Sequence, residues 1–275
     1  MGRNSTHAAA AARCGYLAAA RGVLDAIEEQ ADAIDRASRL CAAAIEADGL
    51  VHLFGTGHSR IPVEEMFPRY GSYPGFHPIV ELSMTFHTQV VGANGQRQAM
   101  FIERVEGLAE TILSNFELGP PDAMIVFSAS GLTAVPIEMA MGARRRGLAV
   151  VAVTSVAQSL AGEPAHSSRS RLLDHADVVL DLGTPAGDAL TWIDGLETPV
   201  GPGSTLAAVA VANEIKVRTA ELLVVRGALP PVLTSANIVG RVACQRLFDA
   251  AYAEYARRAS TVLRVDNGKG EDHEG

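Results

Sequence analysis

The sequence predicts a doubly wound α/β fold, in which a parallel sheet lies between two layers of helices and further helices precede and follow it. Two observations lead to this prediction. Short apolar runs, typical of buried strands, alternate along the chain with longer segments whose apolar residues recur at helical spacing. The connections between the runs are long enough to be crossovers, so neighbouring strands are expected to be parallel. In such folds, ligands bind beyond the carboxyl ends of the strands.

The predicted strands are short and rich in Val, Ile, Leu and Phe. They are residues 50–54, 78–82, 123–127, 148–154 and 177–182. The predicted helices, marked by periodicity and by Pro or Gly at their ends, are residues 63–67, 103–116, 135–146, 205–225 and 239–258, after one or two helices within residues 8–47. We therefore expect a helical extension over residues 1–48, one α/β domain over residues 49–258 and a polar, disordered tail over residues 259–275.

The composition limits the partners of the protein. Its 275 residues are 48% hydrophobic, which is enough apolar material for one large core. A formal net charge of −8 gives no overall positive field, so neither nucleic acid nor an anionic membrane surface is an expected partner. No apolar run reaches the roughly 18 residues that span a bilayer. An anionic ligand would have to be held locally, by backbone groups and a few side chains.

The cysteine and histidine patterns favour neither disulfides nor a bound metal. The cysteines are far apart and form no C-x-x-C pair, which argues against a zinc knuckle and against a disulfide framework. A polar group formed by His166, Asp174, His175 and Asp177 lacks the spacing of a metal site. We therefore expect a cytoplasmic protein without a metal or another cofactor.

Two predicted strands are each followed by a turn of small and hydroxyl residues that leads into a helix. The first turn is Gly55-Thr-Gly-His-Ser59 and the second turn is Ser128-Ala-Ser-Gly-Leu-Thr133. Small residues let backbone N–H groups approach a ligand, and the start of the following helix favours negative charge. A third turn, Gly201-Pro-Gly-Ser-Thr205, opens a long predicted helix. Together the turns predict a site for a phosphorylated small molecule.

Nucleotide-binding motifs do not fit these turns. Arg60 stands where a dinucleotide fingerprint needs its third glycine, and its bulk would prevent close packing of helix and strand. A Walker loop needs a lysine, and none lies near either turn. No G-x-S-x-G elbow makes Ser128 or Ser130 a nucleophile. One such turn alone is as often a plain connection as a ligand site, but two with clustered hydroxyls favour a ligand.

With these three turns, residues 40–240 resemble the SIS (sugar isomerase) domain family of phosphosugar enzymes and regulators, which has a flavodoxin-like sheet. A single-domain branch of that family shares the first turn, the pairs Glu103-Arg104 and Gly187-Asp188, and the segment Pro230-Pro-Val-Leu-Thr-Ser-Ala-Asn237. The resemblance implies a phosphosugar-binding domain over residues 49–258. The residues implied for phosphate or sugar binding are Gly55, Thr56, Gly57, Ser59, Arg60, Ser128, Ser130, Gly131, Thr133, Ser204 and Thr205.

A second resemblance, to N-acetylmuramic acid 6-phosphate etherases, suggests a catalytic carboxylate. Those enzymes carry, after the first turn, a glutamate in a pattern similar to Glu65-Met-Phe-Pro-Arg-Tyr-Gly71, and later a carboxylate-rich stretch similar to Val105-Glu-Gly-Leu-Ala-Glu110. On a continuous helix, Glu65 would lie roughly 9 Å along the axis from Ser59, a distance that a hexose 6-phosphate spans. The alternative for Glu65 is a solvated surface glutamate beside Glu64.

Further catalytic candidates lie near the turns. For a second carboxylate we favour Glu103 over Glu106 and Glu110, although helix dipoles alone would also favour acidic residues at a helix start. His58, inside the first turn, would donate to the sugar or move a proton near pH 7, or only cap the turn. Glu197 precedes the third turn, where some SIS isomerases place an acidic group.

These assignments predict a phosphosugar lyase, and in particular a dehydratase of N-acetylglucosamine 6-phosphate. One carboxylate would take the C2 proton of the ring-opened sugar, and another acid would help the C3 oxygen to leave. The first alternative is aldose–ketose isomerisation or deamination of a sugar phosphate, which uses the same C2 proton and retains the C3 oxygen. The second is a non-catalytic phosphosugar sensor. The SIS resemblance also implies a homodimer or homotetramer with a shared active site.

Overall fold

The core of the protein is a sheet of five parallel strands. The computed structural model describes residues 15–86 and 95–263 of the chain. The strands are β1 (Val51–Gly55), β2 (Phe76–Pro78), β3 (Ala123–Phe127), β4 (Ala149–Thr154) and β5 (Val178–Asp181). They lie in the order β2-β1-β3-β4-β5, and each neighbouring pair is parallel. Because β2 and β3 lie on opposite sides of β1, the direction of winding reverses between β1 and β3, which makes this the switch point of the sheet.

Helices cover both faces of this sheet. In chain order they are α1 (Gly15–Glu28), α2 (Ala31–Glu46), α3 (Ile61–Met66), α4 (Leu82–Thr85), α5 (Gly95–Ile102), α6 (Leu108–Leu113), α7 (Ala134–Arg145), α8 (Val156–Ala161), α9 (Ser204–Val225), α10 (Ala236–Val239) and α11 (Arg241–Val262). Within the two described ranges, no helix combines the length and the apolar character needed to cross a bilayer.

Alternate residues of each strand contribute to hydrophobic clusters on opposite faces of the sheet. Val51 and Leu53 of β1 pack with α1, α2 and α9, whereas Phe54 packs with α6 and α7. The neighbouring strand β3 divides in the same way, with Ile125 on the first face and Val126 on the second. Burial on both faces explains why the strands are almost continuously apolar. The predicted three-layer α/β class is confirmed.

Most predicted elements occur within a few residues of their expected bounds. The second strand is Phe76–Pro78, slightly earlier than the predicted residues 78–82. Helices α1 and α2 contribute residues to the same hydrophobic cluster as the sheet. Helix α11 continues to Val262. The remainder of the predicted tail, from residue 264 onward, lies outside the described residues.

The predicted continuous helix over residues 103–116 is wrong. Helix α5 ends at Ile102, and α6 begins only at Leu108. Between them Gly107 has a φ of +86°, a left-handed conformation that interrupts a helix and that glycine adopts without a steric penalty. Glu103 therefore lies in an irregular segment between two helices, which we call the α5–α6 segment (residues 103–107).

A small antiparallel hairpin that the sequence patterns did not predict precedes α9. Its strands are β6 (Ala189–Thr191) and β7 (Val200–Pro202), paired with Ala189 opposite Pro202. The hydroxyl of Tyr16 in α1 donates to the carbonyl oxygen of Pro202 at 2.8 Å, which holds the hairpin against the core. The hairpin therefore fixes the position from which α9 begins.

Candidate functional site

A cavity of about 600 Å³ opens beyond the carboxyl ends of β1 and β3, at the switch point of the sheet. In doubly wound folds this is where ligands bind. Residues of all three turns line the cavity, and the α5–α6 segment and the start of the β6–β7 hairpin complete its walls. Its place in the fold and its size are those of a small-molecule site.

The first turn follows β1 and contributes four residues to the cavity. They are Thr56, Gly57, His58 and Ser59. The turn is so tight that a Cβ atom on Gly55 would lie 2.2 Å from the carbonyl oxygen of Ser59, so glycine is required there. Gly57 has a φ of +56°, which again favours glycine. Gly55 thus allows the turn to form but does not itself line the cavity.

The second turn follows β3 and leads into α7. Ser128, Ser130 and Thr133 line the cavity, and their phosphate-binding role stays a prediction. Gly131 does not line it, and its N–H donates to the Ser128 hydroxyl oxygen at 3.2 Å. The side chain of Ser128 is therefore partly used to shape the turn, whereas those of Ser130 and Thr133 face the cavity as potential donors.

Contacts behind the second turn leave its donors available to a ligand. The carbonyl oxygen of Gly131 accepts the N–H of Leu172 at 2.9 Å, on the side of the turn away from the cavity. Among the described residues, no acceptor lies within hydrogen-bonding distance of the N–H groups of Ser130 and Thr133. Because α7 starts just after Thr133, these donors lie at the positive end of a helix dipole, where an anion is stabilised.

The third turn meets the cavity at the start of α9, but its donors are largely occupied. Ser204, Thr205 and Asp188 line this part of the wall. Asp188 Oδ1 accepts the N–H groups of Gly203 at 3.2 Å and Ser204 at 2.7 Å, and Oδ2 accepts the Ser204 hydroxyl at 2.7 Å. The carboxylate of Asp188 thus occupies the positive end of α9. The N–H and the hydroxyl of Thr205, by contrast, have no hydrogen-bond acceptor among the described residues.

Glu103 is the carboxylate that the α5–α6 segment brings into the cavity. The hydroxyl of Thr56 donates to its Oε2 at 2.8 Å, so the first turn and the α5–α6 segment meet at this side chain. Burial raises the pKa of Glu103, and the hydrogen bond from Thr56 and the charge of Arg104 oppose that rise. A half-buried carboxylate with a raised pKa, facing a cavity, is suited to take up or release a proton.

Two residues that line the cavity could not be identified from the sequence. Gln96 of α5 and Gln158 of α8 both line the cavity, and the Gln158 amide also donates to the Thr184 hydroxyl at 3.4 Å. A glutamine on a helix belongs to no motif, so only the folded chain reveals these two. Asp188 did carry a signal, because the pair Gly187-Asp188 is shared with the single-domain SIS branch.

Glu65, expected near the ligand, does not line the cavity. Its carboxylate lies between α3 and α9, where Arg69 donates to Oε2 and Asn213 Nδ2 donates to Oε1 at 3.1 Å. The expected distance assumed one continuous helix from Ser59. The chain instead forms a 3₁₀ turn over Gly57–Arg60 before α3 begins, and this changes the direction of the Glu65 side chain.

Two further candidates also lie outside the cavity. Glu197 is exposed in the loop between β6 and β7. Arg60 packs its guanidinium 5.6 Å from the centre of the Phe86 ring, and its Nε lies 3.4 Å from Glu64 Oε1. As a result, the described residues that line the cavity include no Lys or Arg. A bound anion would depend on helix starts, backbone N–H groups and hydroxyls.

Outside the cavity, Glu106, Glu138 and His166 bring potential metal-ligand atoms within 4.8 Å of one another. The N–H of Ser168 donates to His166 Nδ1 at 3.1 Å, which places the ring hydrogen on Nε2, 3.3 Å from Glu138 Oε1. In this arrangement His166 and Glu138 are joined by a hydrogen bond, and Glu106 Oε2 lies 3.9 Å from the same ring nitrogen. That no metal takes part stays a prediction.

The fold and the cavity define a doubly wound α/β protein with a small-molecule site at the switch point of its sheet. A family model described as the SIS domain matches residues 15–155. A UPF0309 protein of Listeria monocytogenes is 34% identical over 212 residues, which cover 77% of this chain and 83% of that protein. One from Brucella anthropi is 38% identical over 224 residues, 82% of this chain and 88% of that protein. The chain belongs to the SIS domain family, which confirms the resemblance seen in its turns.

Similar solved structures share little sequence with the chain. A phosphoheptose isomerase from Francisella tularensis aligns with a TM-score of 0.46 and 13% identity, covering 80% of this chain and 100% of that one. At this level of similarity, the ligand of that protein indicates nothing about the ligand of this chain.

Proposed function

We propose that the protein is an enzyme that acts on the 6-phosphate of an amino sugar. Membership of the SIS domain family supports this proposal, together with a cavity whose donors suit an anion. The phosphate would bind at the second turn, where the start of α7 and the hydroxyls of Ser130 and Thr133 converge. The hydroxyls of Ser59 and Thr205 would then contact the sugar.

The observation that carries the proposed chemistry is the environment of Glu103. In the ring-opened sugar the C2 proton is acidic, because the C1 aldehyde stabilises the charge left when that proton is removed. Glu103, with its raised pKa, would take this proton as general base. The electron pair of the C2–H bond then forms a C2–C3 double bond while the C3–O bond breaks. The C3 oxygen, protonated as it departs, leaves as water, which makes the protein a dehydratase of N-acetylglucosamine 6-phosphate.

We propose His58 as the acid that protonates the departing oxygen. His58 lines the cavity and is exposed, and histidine is the side chain most often used as a general acid in catalysis. Glu65, the other predicted catalytic carboxylate, has no role in this proposal, because its oxygens are held by Arg69 and Asn213 outside the cavity. Glu197 takes no part in the proposed reaction, since it lies outside the cavity.

Isomerisation is the second candidate function, and one observation favours it. Among the described residues, the carboxylates that line the cavity are Glu103 and Asp188, and Asp188 already accepts three hydrogen bonds from the start of α9. A single proton-transfer group is enough to move a proton between C2 and C1, so Glu103 alone would support isomerisation or deamination. Elimination needs His58 in addition.

We also propose that the protein is a homodimer or homotetramer in which a neighbouring copy completes the cavity. Large apolar side chains are exposed on α1 and α9, among them Leu17, Leu24, Val217 and Val224, and exposed apolar surface favours association. Light scattering should give a mass of at least two chains. A monomer at every concentration would contradict this part of the proposal.

The test is to incubate the purified protein with N-acetylglucosamine 6-phosphate in deuterium oxide. Dehydration predicts a product lighter by one water, with the ultraviolet absorbance of a double bond conjugated to the carbonyl group. Isomerisation predicts no loss of water, with deuterium at C1 of the product and at C2 of sugar returned to the aldose form, whereas binding without any of these changes identifies a sensor. Glu103→Gln is the control, which should bind the sugar phosphate and catalyse neither reaction. Failure to bind any hexosamine 6-phosphate would overturn the proposal.

A further inference from the structure

Helix α7 holds both ends of the α5–α6 segment, which carries Glu103. At the first end, the N–H of Val135 donates to the carbonyl oxygen of Glu103 at 3.0 Å. At the second end, the N–H of Gly107 donates to both carboxylate oxygens of Glu138, at 2.8 and 2.9 Å. Val135 and Glu138 both belong to α7. The segment therefore cannot shift against α7 without breaking one of these contacts.

Glu138 is itself held in one orientation. Its side chain is 15% exposed, and its Oε1 lies 3.3 Å from Nε2 of His166, which is 8% exposed. The same nitrogen lies 3.9 Å from Glu106 Oε2. Glu106 in turn accepts the N–H and the hydroxyl of Ser167 at 2.6 and 2.7 Å. Two elements of the chain, α7 and the loop around His166, thus converge on the α5–α6 segment just beyond Glu103.

We propose that Glu138 is a positioning residue for Glu103. By holding Gly107, it fixes the α5–α6 segment and so sets where the carboxylate of Glu103 stands in the cavity, although Glu138 does not line the cavity itself. Helix α7 begins just after Thr133, so the helix that would receive the phosphate also holds the base. The distance between phosphate site and base is then set by one rigid element. The inference rests on the proposed function, because it assumes that Glu103 moves a proton.

Glu110 provides a matched control. It also joins the region of α6 to α7, by accepting hydrogen bonds from Arg145 at 2.8 Å and from Arg146. These contacts lie at the exposed far end of α7, away from the α5–α6 segment. Glu138→Ala and Glu110→Ala therefore each remove a carboxylate that bridges the same two parts of the chain, but only Glu138→Ala releases Gly107.

The experiment compares Glu138→Ala, Glu138→Gln and Glu110→Ala for removal of the C2 proton of N-acetylglucosamine 6-phosphate, followed as loss of water or as deuterium exchange. A misplaced base slows the chemical step, so Glu138→Ala should lower kcat on the order of 10–100-fold. Its KM should stay within about threefold, because the phosphate turn is intact. Glu138→Gln keeps an oxygen that accepts the N–H of Gly107, so it should retain more of kcat. Glu110→Ala should match the wild type in both constants.

The possible results distinguish failure of this inference from failure of the proposed function. An active wild type with an unchanged kcat in Glu138→Ala, or an equal loss in Glu110→Ala, overturns the positioning role. A wild type without turnover defeats the proposed function. In that case the inference is judged by the carboxyl carbon resonance of Glu103 in an NMR titration. Positioning predicts that Glu138→Ala shifts the pKa read from this resonance and Glu110→Ala does not, and an unshifted pKa in Glu138→Ala overturns it.

Discussion

Glu103 and Glu65 are both carboxylates that the sequence patterns associate with catalysis, but the fold gives them opposite surroundings. Glu103 lines the cavity and accepts a hydrogen bond from the neutral hydroxyl of Thr56 at 2.8 Å. Glu65 lies outside the cavity, where the guanidinium of Arg69 binds one oxygen and the amide of Asn213 binds the other. The carboxylate of Glu103 thus faces the cavity and has a neutral partner, whereas that of Glu65 is paired with a cation.

This difference shows that the partner of a carboxylate decides what chemistry it can perform. Both oxygens of Glu65 already accept hydrogen bonds, from Arg69 and Asn213, and the side chain lies outside the cavity. Burial next to a neutral donor instead raises the pKa of Glu103. Both glutamates have an arginine nearby in the sequence, but Arg104 donates to the carbonyl oxygen of Met100. The local sequence therefore does not distinguish the two environments.

Replacing each glutamate with glutamine should give the largest of the expected effects, a difference in kcat between the two variants. In Glu103→Gln the amide oxygen still accepts the Thr56 hydroxyl, but the side chain can no longer take up a proton. We therefore expect kcat for removal of the C2 proton, followed as loss of water or as deuterium exchange, to fall by about 10²–10⁴-fold. Glu65→Gln should change kcat by less than about threefold, since Glu65 does not reach the cavity.

Ligand binding measured by calorimetry controls for misfolding in both variants. Glu103→Gln should bind the sugar phosphate, and its loss of exchange is then a loss of chemistry. If exchange is instead lost in Glu65→Gln and kept in Glu103→Gln, the general base is Glu65 and not Glu103.

The position of the bound phosphate decides which carboxylate faces C2 of the sugar. The second and third turns are the two places where the phosphate could bind, and one substitution in each turn compares their contributions to binding. Thr133→Val removes a hydroxyl that has no protein acceptor in the described residues, whereas Ser204→Ala removes one that already donates to Asp188 at 2.7 Å. A hydrogen bond to a charged group contributes about 1.5–3 kcal/mol, so Thr133→Val should raise Kd by on the order of tenfold or more.

Isothermal titration calorimetry with N-acetylglucosamine 6-phosphate and with inorganic phosphate measures both variants. Ser204→Ala should weaken binding less than Thr133→Val for either ligand. A larger loss of affinity in Ser204→Ala would mean that the phosphate binds at the start of α9. The sugar would then lie in the opposite orientation in the cavity.

Local patterns were enough to predict the sheet and the turns. Each strand is a short apolar run, and each turn at the cavity is made of residues adjacent in sequence, such as Gly55 and Ser59, whose close approach requires glycine. The fold class and the residues of the first two turns in the cavity were therefore predictable. The phosphate-binding role of those turns is still a prediction.

Contacts between distant parts of the chain were not predictable. The predicted helix over residues 103–116 is interrupted at Gly107, whose left-handed backbone donates its N–H to Glu138, and no pattern around Gly107 shows that acceptor. Glu65 turns from the cavity towards Asn213 on α9, and Asp188 occupies the start of the same helix. The surroundings of Glu65 and Asp188 thus include partners far along the chain, which the local sequence does not reveal.

Thr56 offers a finer test of the neutral environment of Glu103. Its hydroxyl lowers the pKa that burial raises, so Thr56→Val should raise the pKa of Glu103 further. A base acts in its deprotonated form, and a higher pKa means that this form appears only at higher pH. The acid limb of the pH–rate profile should therefore move to higher pH in Thr56→Val and remain in place in Thr56→Ser, which keeps a hydroxyl. An unmoved limb in Thr56→Val would show that another group titrates there.

The smallest expected effect is on stability, and it should differ in sign between the two glutamates. Glu65 is 18% exposed and its partner Arg69 is 55% exposed, so solvent screens this ion pair and its loss in Glu65→Gln should lower the free energy of unfolding by only about 0.5–1 kcal/mol. Glu103→Gln replaces a half-buried charge that has no paired cation with a neutral amide, so it should cost nothing or stabilise the protein slightly. Urea unfolding at neutral pH measures both variants. A clear loss of stability in Glu103→Gln would mean that the charge of Glu103 is compensated in the folded protein, and its proposed role as a carboxylate ready to take up a proton would have to be abandoned.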